Sequence, residues 1–172
     1  MMSDIRDMLT DANTRLLARH CTKEVVLAAE RGVWAEDLWT ALAEAGIVNA
    51  LAAEEAGGCE LELGEALRLA GGAAAHCAPV PLGETHLATW LLTRAGMVVP
   101  DGPATIAPAN LRDRLVLAHD NGRWRLTGIA RRVPWARHAA YLVACATCDG
   151  NDRIVLVPRA CYGVEPGTNI AG

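Results

Sequence analysis

Cysteine is the residue type whose spacing in this sequence most directly suggests chemistry. Cys145 and Cys148 form a C-x-x-C pair, which in a suitable loop would bind zinc or cycle between thiol and disulfide. The pair falls in a strand-like stretch, where residues three apart point to opposite faces. Histidine precedes cysteine at 20–21 and 76–77, but neighbouring residues on a helix point about 100° apart. We therefore favour ordinary packing or capping, and we predict neither a metal site nor a cysteine nucleophile.

Three other groups of polar residues could support catalysis or binding. Ser3 is the only serine and stands at the N-terminus, which excludes a serine triad. Glu54 and Glu55 could include a general base, although two carboxylates where a helix meets a loop are more often solvated charges. The third group could bind a phosphate or carboxylate, or it could line a solvated strand end, which we favour. Its members are Arg131, Arg132, Arg137 and His138.

Five segments before residue 100 repeat apolar residues every three or four positions, which predicts helices. They are residues 4–20, 23–31, 35–45, 61–76 and 83–95. Gly46 predicts the end of the third helix, because glycine readily takes the left-handed C′ conformation. In the last helix, the residues expected to be buried are Leu87, Trp90 and Leu91.

After residue 100 the apolar period changes to two, which predicts short strands. They are residues 114–119, 123–127, 141–147 and 153–157, with a strand-like stretch at 162–165. Asn121 and Gly122 predict a tight hairpin between the first two. The fold class is therefore α+β, with an all-α helical bundle at 1–100 followed by an antiparallel, incomplete β-barrel or sandwich domain at 101–172. So few strands predict an exposed sheet edge and association with another chain.

Composition limits the compartment and the partners. The chain has 172 residues, is 52% hydrophobic and carries a net charge of -4. It has no apolar run of about 18–20 residues and no signal-like N-terminus, so we expect a cytoplasmic protein without a membrane partner. The scattered arginines form no basic stripe, which argues against nucleic acid. We expect the six cysteines to be free and mostly buried.

Five blocks along the chain resemble the acyl-CoA dehydrogenase family. Three lie in the helical half, namely LWTALAEAGI at 38–47, AEEAGG at 53–58 and APVPLGET at 78–85. Two lie in the strand half, namely WRLTG at 124–128 and VLVP at 155–158. No single block is decisive, but their order agrees with the change from helices to strands.

The resemblance implies a flavoprotein that oxidises an acyl-CoA thioester to its α,β-enoyl form, with FAD as the hydride acceptor. It also implies an N-terminal helical bundle, a middle β-domain over the flavin, and a C-terminal bundle that carries the catalytic glutamate and the oligomer core. That glutamate cannot be carried over to any position here, so no catalytic residue is assigned. The implied partners are an acyl-CoA substrate and dehydrogenase-type chains, in a homo- or hetero-oligomer.

The flavin-contacting segments of the family are altered in this sequence. The typical T-E-x-G-x-G-S-D segment corresponds to residues 106–113, where only Pro108 and Asp113 are suggestive. After the Leu-x-Gly strand, the position of a flavin-bonding Thr or Ser corresponds to Pro134, which has neither a hydroxyl nor an N–H to donate. The candidate cofactor contacts implied by the resemblance are Ile106, Pro108, Pro134 and Trp135.

Two interpretations follow from these departures. The chain is either part of an acyl-CoA dehydrogenase, or a degenerate, non-catalytic subunit or assembly module that pairs with a catalytic chain. Heteromeric members of the family that act on bulky side chains, such as those of steroids, provide the second pattern, and the 78–85 block looks most like that actinobacterial-style branch. In either case, an acyl chain is expected between the helices around 63–91 and the sheet.

Overall fold

The structure is a computed structural model that describes residues 2–54, 58–108, 110 and 112–167, with side chains from Ile5 onward. Its helical half confirms all five predicted helices, with ends that differ from the prediction by a few residues. The helices are α1 (Met2–His20), α2 (Lys23–Glu30), α3 (Glu36–Glu44), α4 (Leu63–Ala75) and α5 (Leu82–Arg94).

The helices enclose a core whose best-predicted member is α3. Leu38, Trp39 and Leu42 of α3 are buried, as their spacing predicts. They share a cluster with Leu9 and Leu17 of α1, because the apolar stripes of both helices face inward. α3 ends before Gly46, which has the left-handed φ of 73° that the sequence led us to expect.

The C-terminus of α4 uses cysteine where glycine is usual. Cys77 follows the C-cap His76 and has a left-handed φ of 52°. The N–H groups of Cys77 and Ala78 donate to the carbonyls of Ala74 (2.9 Å) and Ala73 (3.0 Å), which is the Schellman pattern. Cys77 is therefore held in a fixed direction at the exposed end of this helix.

α5 buries a different face from the one predicted. Leu87, Trp90 and Leu91 are only half-buried, whereas the fully covered residues are Leu82, Thr85, His86, Ala88, Thr89 and Leu92. The reason is that α5 is covered on two sides, by the other helices and by the sheet. Its buried polar groups can therefore find partners, as when Thr85 Oγ1 accepts the N–H of Ala104 at 3.0 Å.

Five strands form one sheet in the described residues: β1 (Ala104–Ala107), β2 (Leu115–Asp120), β3 (Arg123–Gly128), β4 (Tyr141–Cys148) and β5 (Asn151–Pro158). Both predicted hairpins are confirmed, since β2–β3 and β4–β5 pair antiparallel. β1 and β2 lie in turn along the other edge of β4 and run parallel to it, so the sheet is mixed rather than wholly antiparallel. The α+β class is confirmed, and the sheet does not close into a barrel.

Two strand predictions were wrong. β1 was missed because three of its four residues are buried, which removes the alternation that marks a half-exposed strand. The stretch at 162–165 is not a strand. A 3-10 turn at Arg159–Cys161 leads the chain away from β5, and the Tyr162 hydroxyl donates to the carbonyl of Ala136 at 3.1 Å.

β4 and α5 join the helical part to the sheet. Tyr141 and Val143 of β4 pack with Ala88 and Leu92 of α5, and the burial of Tyr141 raises the pKa of its hydroxyl to about 12. β4 residues on the other face, such as Leu142 and Ala144, pack in a separate cluster. β4 is therefore buried on both faces, as expected of a central strand.

Two expectations about surfaces can be compared with the structure. All six cysteines are free, but Cys77, Cys145 and Cys161 are exposed and only Cys148 is buried, so the prediction of mostly buried thiols was wrong. Across the described residues, no helix has the length and apolar character needed to cross a bilayer.

Candidate functional site

The four candidate cofactor contacts lie on two neighbouring segments. Ile106 is half-buried in β1, and Pro108 follows it through a cis Ala107–Pro108 peptide. Pro134 is exposed and Trp135 is half-buried, in the loop that leads from β3 to β4. β1 pairs with the start of β4, so the end of this loop lies beside β1.

A single buried hydroxyl ties the two segments together. Thr105 is fully buried, and its Oγ1 donates to the carbonyl oxygen of Pro134 at 2.6 Å. The structure therefore brings together the parts of the chain that hold the predicted residues. Sequence reasoning missed Thr105, because a threonine in a short strand has no distinguishing pattern.

Asp113 is the last residue of the altered segment at 106–113. Its side chain is fully buried, and its two oxygens accept from the backbone N–H of Arg131 and from Arg131 Nη1, the latter at 2.7 Å. The backbone N–H is the main cause that lowers the pKa of Asp113, followed on the same side by the Arg131 side chain; desolvation opposes them. This carboxylate is therefore ionised and committed to fixing the loop after β3, so it is not available as a base.

The predicted group of four basic residues does not form one site. Arg131 pairs with Asp113, and Arg132 is exposed at a left-handed φ of 58°. Arg137 instead reaches the end of α2, where a Cβ built on Gly32 would lie 3.4 Å from its Nη1. The ring of His138 stacks on Trp34, with centroids 5.4 Å apart, and burial and then Arg137 lower the pKa of His138. These residues connect different parts of the fold.

A small cavity of about 240 Å³ lies beside Trp135. Residues from the loop between β3 and β4 form one side, and residues after the 3-10 turn form the other. The lining residues are Val133, Trp135, Ala136, Arg137, His138, Val164, Glu165, Pro166 and Gly167. Of the four predicted cofactor contacts, Trp135 lines this cavity.

A larger cavity of about 430 Å³ lies between the start of α4 and the end of α5. Its lining is Leu51, Leu61, Glu62, Leu63, Gly64, Trp90, Thr93 and Arg94, with the Arg94 guanidinium 5.5 Å from the Trp90 ring centroid. The acyl chain was expected between the helices and the sheet. This cavity lies elsewhere, because Ala88, Leu92 and Ala104 pack between α5 and the sheet, whereas the cavity is lined by α4, α5 and the connection between α3 and α4.

The remaining candidates stay separate. Cys145 is exposed and Cys148 is buried within β4, as expected for opposite faces of a strand. Glu54 is exposed, and Glu55 lies outside the described residues. Over residues 2–54, 58–108, 110 and 112–167, no three His, Cys, Asp or Glu side chains are grouped as metal ligands.

Among the solved structures that this chain resembles, two cover nearly the whole chain. A variant of the Tcur3481-Tcur3483 steroid acyl-CoA dehydrogenase (ACAD) superposes with a TM-score of 0.74 at 27% identity, over 92% of this chain and 49% of that chain. The ChsE4-ChsE5 complex from Mycobacterium tuberculosis superposes with a TM-score of 0.71 at 20% identity, over 90% of this chain and 47% of that chain. No protein-family model and no curated protein matches.

The chain therefore has an acyl-CoA dehydrogenase-like fold, and it spans about half the length of the solved chains that it matches. The helices-then-sheet order derived from the sequence agrees with this likeness. The resemblance seen in the sequence blocks is confirmed at the level of the fold.

Proposed function

We propose that this chain supplies the helical domain (1–100) and part of the middle β-domain (101–172) of an acyl-CoA dehydrogenase-type flavoprotein. The reaction is the α,β-oxidation of an acyl-CoA thioester, for which FAD supplies the hydride acceptor when bound. The observation that carries this proposal is the likeness of nearly the whole chain to a steroid ACAD structure.

The proposed substrate is an acyl-CoA with a bulky apolar acyl group, such as a steroid side chain. This proposal is supported by the name of that structure and by the cavity between α4 and α5. The volume of this cavity lies in the range of small-molecule sites. Four apolar side chains line it, namely those of Leu51, Leu61, Leu63 and Trp90.

The candidate flavin contacts do not fit the donor set that the resemblance implies. Pro134 offers only its carbonyl, and Thr105 already donates to that carbonyl. Asp113 is committed to Arg131, and Ile106 and Pro108 carry no polar side chain. Trp135 could contribute one indole N–H. We therefore assign no step of the reaction to FAD bound by these residues alone.

This mismatch favours a second candidate function, a non-catalytic subunit that pairs with a catalytic dehydrogenase chain. The names of both similar structures pair two proteins, which supports a hetero-oligomer. In that arrangement the partner holds the flavin, and this chain shapes the assembly and one wall of the acyl site.

Expression of this chain alone and together with a dehydrogenase-type partner separates the two functions. We expect the chain alone to lack the flavin absorption between about 350 and 500 nm, because its side chains offer few donors. We expect the complex to be yellow and to convert acyl-CoA to enoyl-CoA. Flavin content is measured by absorption, and turnover with an artificial electron acceptor.

The possible outcomes of this experiment distinguish the two candidate functions. If the partner loses turnover without this chain, the chain belongs to the working enzyme. If the partner keeps its flavin without this chain but needs the chain for assembly or for acyl-CoA binding, the non-catalytic subunit is the correct function. Flavin retained by this chain alone would contradict the mismatch described above, and the absence of any complex with dehydrogenase-type chains would contradict both functions.

A substitution in the larger cavity tests the proposed acyl site. Trp90→Ala should raise the KM for a bulky acyl-CoA by about 5–20-fold in the active complex, because a large apolar wall is removed. Flavin content should not change. Trp124→Ala is the matched control, since Trp124 is 64% exposed on β3 and lies outside the cavity. Equal KM values for the two variants would remove this cavity from the substrate path.

A further inference from the structure

Two cysteines meet where the ends of α1 and α4 come together. Cys21 follows α1, and its Sγ donates to the carbonyl oxygen of His76 at 3.2 Å. His76 is the C-cap residue of α4 and directly precedes Cys77. A carbonyl oxygen lies about 2.8 Å from the next Cα in a trans peptide, so the Cα of Cys77 is at most about 6 Å from the Cys21 sulfur.

This separation is compatible with a disulfide. The sulfur of Cys77 lies about 2.8 Å from its own Cα, so a Cys77 side chain turned towards Cys21 places the two sulfurs about 3–4 Å apart, and a rotation of the Cys21 side chain away from the His76 carbonyl lets them meet. Burial raises the pKa of Cys21, and the charge of a Cys77 thiolate raises that pKa further, which requires the two groups to be near each other.

The packing of the two helices holds the cysteines in register. Asn13 of α1 is buried, and its Nδ2 donates to the carbonyl oxygen of Leu69 in α4 at 2.9 Å. Gly72 leaves room for that contact, because a Cβ there would lie 3.0 Å from the Asn13 Nδ2. About two turns beyond the contact between Asn13 and Leu69, both helices end at the cysteine pair.

We propose that Cys21 and Cys77 form a redox-active dithiol that reacts with small disulfides such as glutathione disulfide. Cys77 is exposed and its thiolate attacks first, forming a mixed disulfide and releasing one glutathione thiolate. The half-buried Cys21 then attacks the Cys77 sulfur as its thiolate and releases the second glutathione. Two protein thiols are oxidised, one glutathione disulfide is reduced to two thiols, and the two protein protons pass to the released thiolates.

This assignment is specific to one pair among the six cysteines. Cys145 and Cys161 are also exposed, but each lies in the sheet half of the chain, and within the described residues no hydrogen bond links either of them to a second thiol. A bridge between Cys21 and Cys77 closes a long loop, so it should stabilise the folded chain.

The test uses the full chain under native conditions in buffers of increasing glutathione disulfide content. Cleavage and mass mapping without reduction should show a Cys21–Cys77 link with a mass loss of about 2 Da. The melting temperature should rise by about 5–10 °C on oxidation and return on reduction.

Three variants define the order of attack. Cys21→Ser should trap a stable glutathione adduct on Cys77, because the resolving thiol is gone. Cys77→Ser should slow the first adduct at Cys21 by at least about tenfold, because Cys21 is half-buried. Cys145→Ser is the matched control and should leave the link unchanged. Two results with the unaltered chain would overturn the proposal, whatever the variants do. One is glutathione that stays bound to Cys77 while no Cys21–Cys77 disulfide forms. The other is disulfides that form at random among the exposed cysteines.

Discussion

Replacement of His86 by alanine is expected to lower the free energy of unfolding by about 2–4 kcal/mol. His86 is fully buried in α5, and its Nε2 donates to the carbonyl oxygen of Ile47 at 2.9 Å. The substitution leaves a cavity and deprives that carbonyl of its partner. Urea unfolding followed by circular dichroism measures the change. His76→Ala is the control, because His76 is exposed, and it should change the free energy by less than about 0.5 kcal/mol.

The same histidine predicts how stability depends on pH. Burial lowers the pKa of His86 and outweighs the backbone groups of Ile47 and Ala66, which raise it. The folded chain therefore holds a neutral His86, whereas the unfolded chain binds a proton below about pH 6.5. The stabilisation is complete above that pH and is lost as the pH falls towards the lowered pKa. His86→Leu should remove this contribution to the pH dependence, and an unchanged slope between about pH 6.5 and 5 would contradict it.

This histidine also matters to the proposed acyl site. Ile47 begins the connection between α3 and α4, and Leu51 and Leu61 of that connection line the larger cavity. The hydrogen bond of His86 thus holds the connection between α3 and α4, which forms one wall of the cavity, against α5. The destabilised variant should consequently show weaker acyl-CoA binding as well as a lower melting temperature.

Gly58→Ala is expected to destabilise the chain by about 2–4 kcal/mol. A Cβ at this position would overlap the backbone carbonyl of Ala52 and lie 2.6 Å from the carbonyl oxygen of Asn49. Both obstacles are backbone atoms, so no side chain can move aside. The connection between α3 and α4 would have to shift, and the N–H of Glu60, which donates to Ala52 at 3.0 Å, would lose its geometry.

A matched glycine in α4 should give the opposite result. Gly71 is exposed within the helix, and a Cβ there would meet nothing within 4 Å. Gly71→Ala should therefore raise the free energy of unfolding by about 0.5–1 kcal/mol, because alanine is the better helix former. Chemical unfolding of both variants gives the comparison, and similar effects of the same sign would show that backbone crowding at Gly58 is not the cause.

The sequence predicts elements well where one face of an element is buried. α3 confirms this through the spacing of Leu38, Trp39 and Leu42, whereas the β2–β3 hairpin, whose second strand is almost wholly exposed, was predicted from its Asn-Gly turn. β1 and the buried face of α5 were not predicted. Both are covered on two sides, and burial then no longer follows a simple period.

The sequence indicated two segments for the candidate site, but it did not indicate the contacts between them. Resemblance pointed to Pro108 and Pro134 as cofactor contacts, which stays a prediction, while Thr105, which joins their two segments, has no signal in its own sequence context. Arg131 and Arg137 looked like one basic group, but Arg131 pairs with Asp113 and Arg137 lies beside Gly32, both far away in sequence. Pairing over such distances depends on the fold, and composition and spacing carry little information about it.

The bond between Thr105 and Pro134 has a consequence for how this loop can change over generations. The fold uses only the backbone carbonyl at position 134, which any of the twenty amino acids supplies. The side chain there is exposed, so its identity is nearly neutral for folding. Exchange of the side chain at position 134 is therefore expected to leave the scaffold intact, whatever that side chain contacts in other molecules.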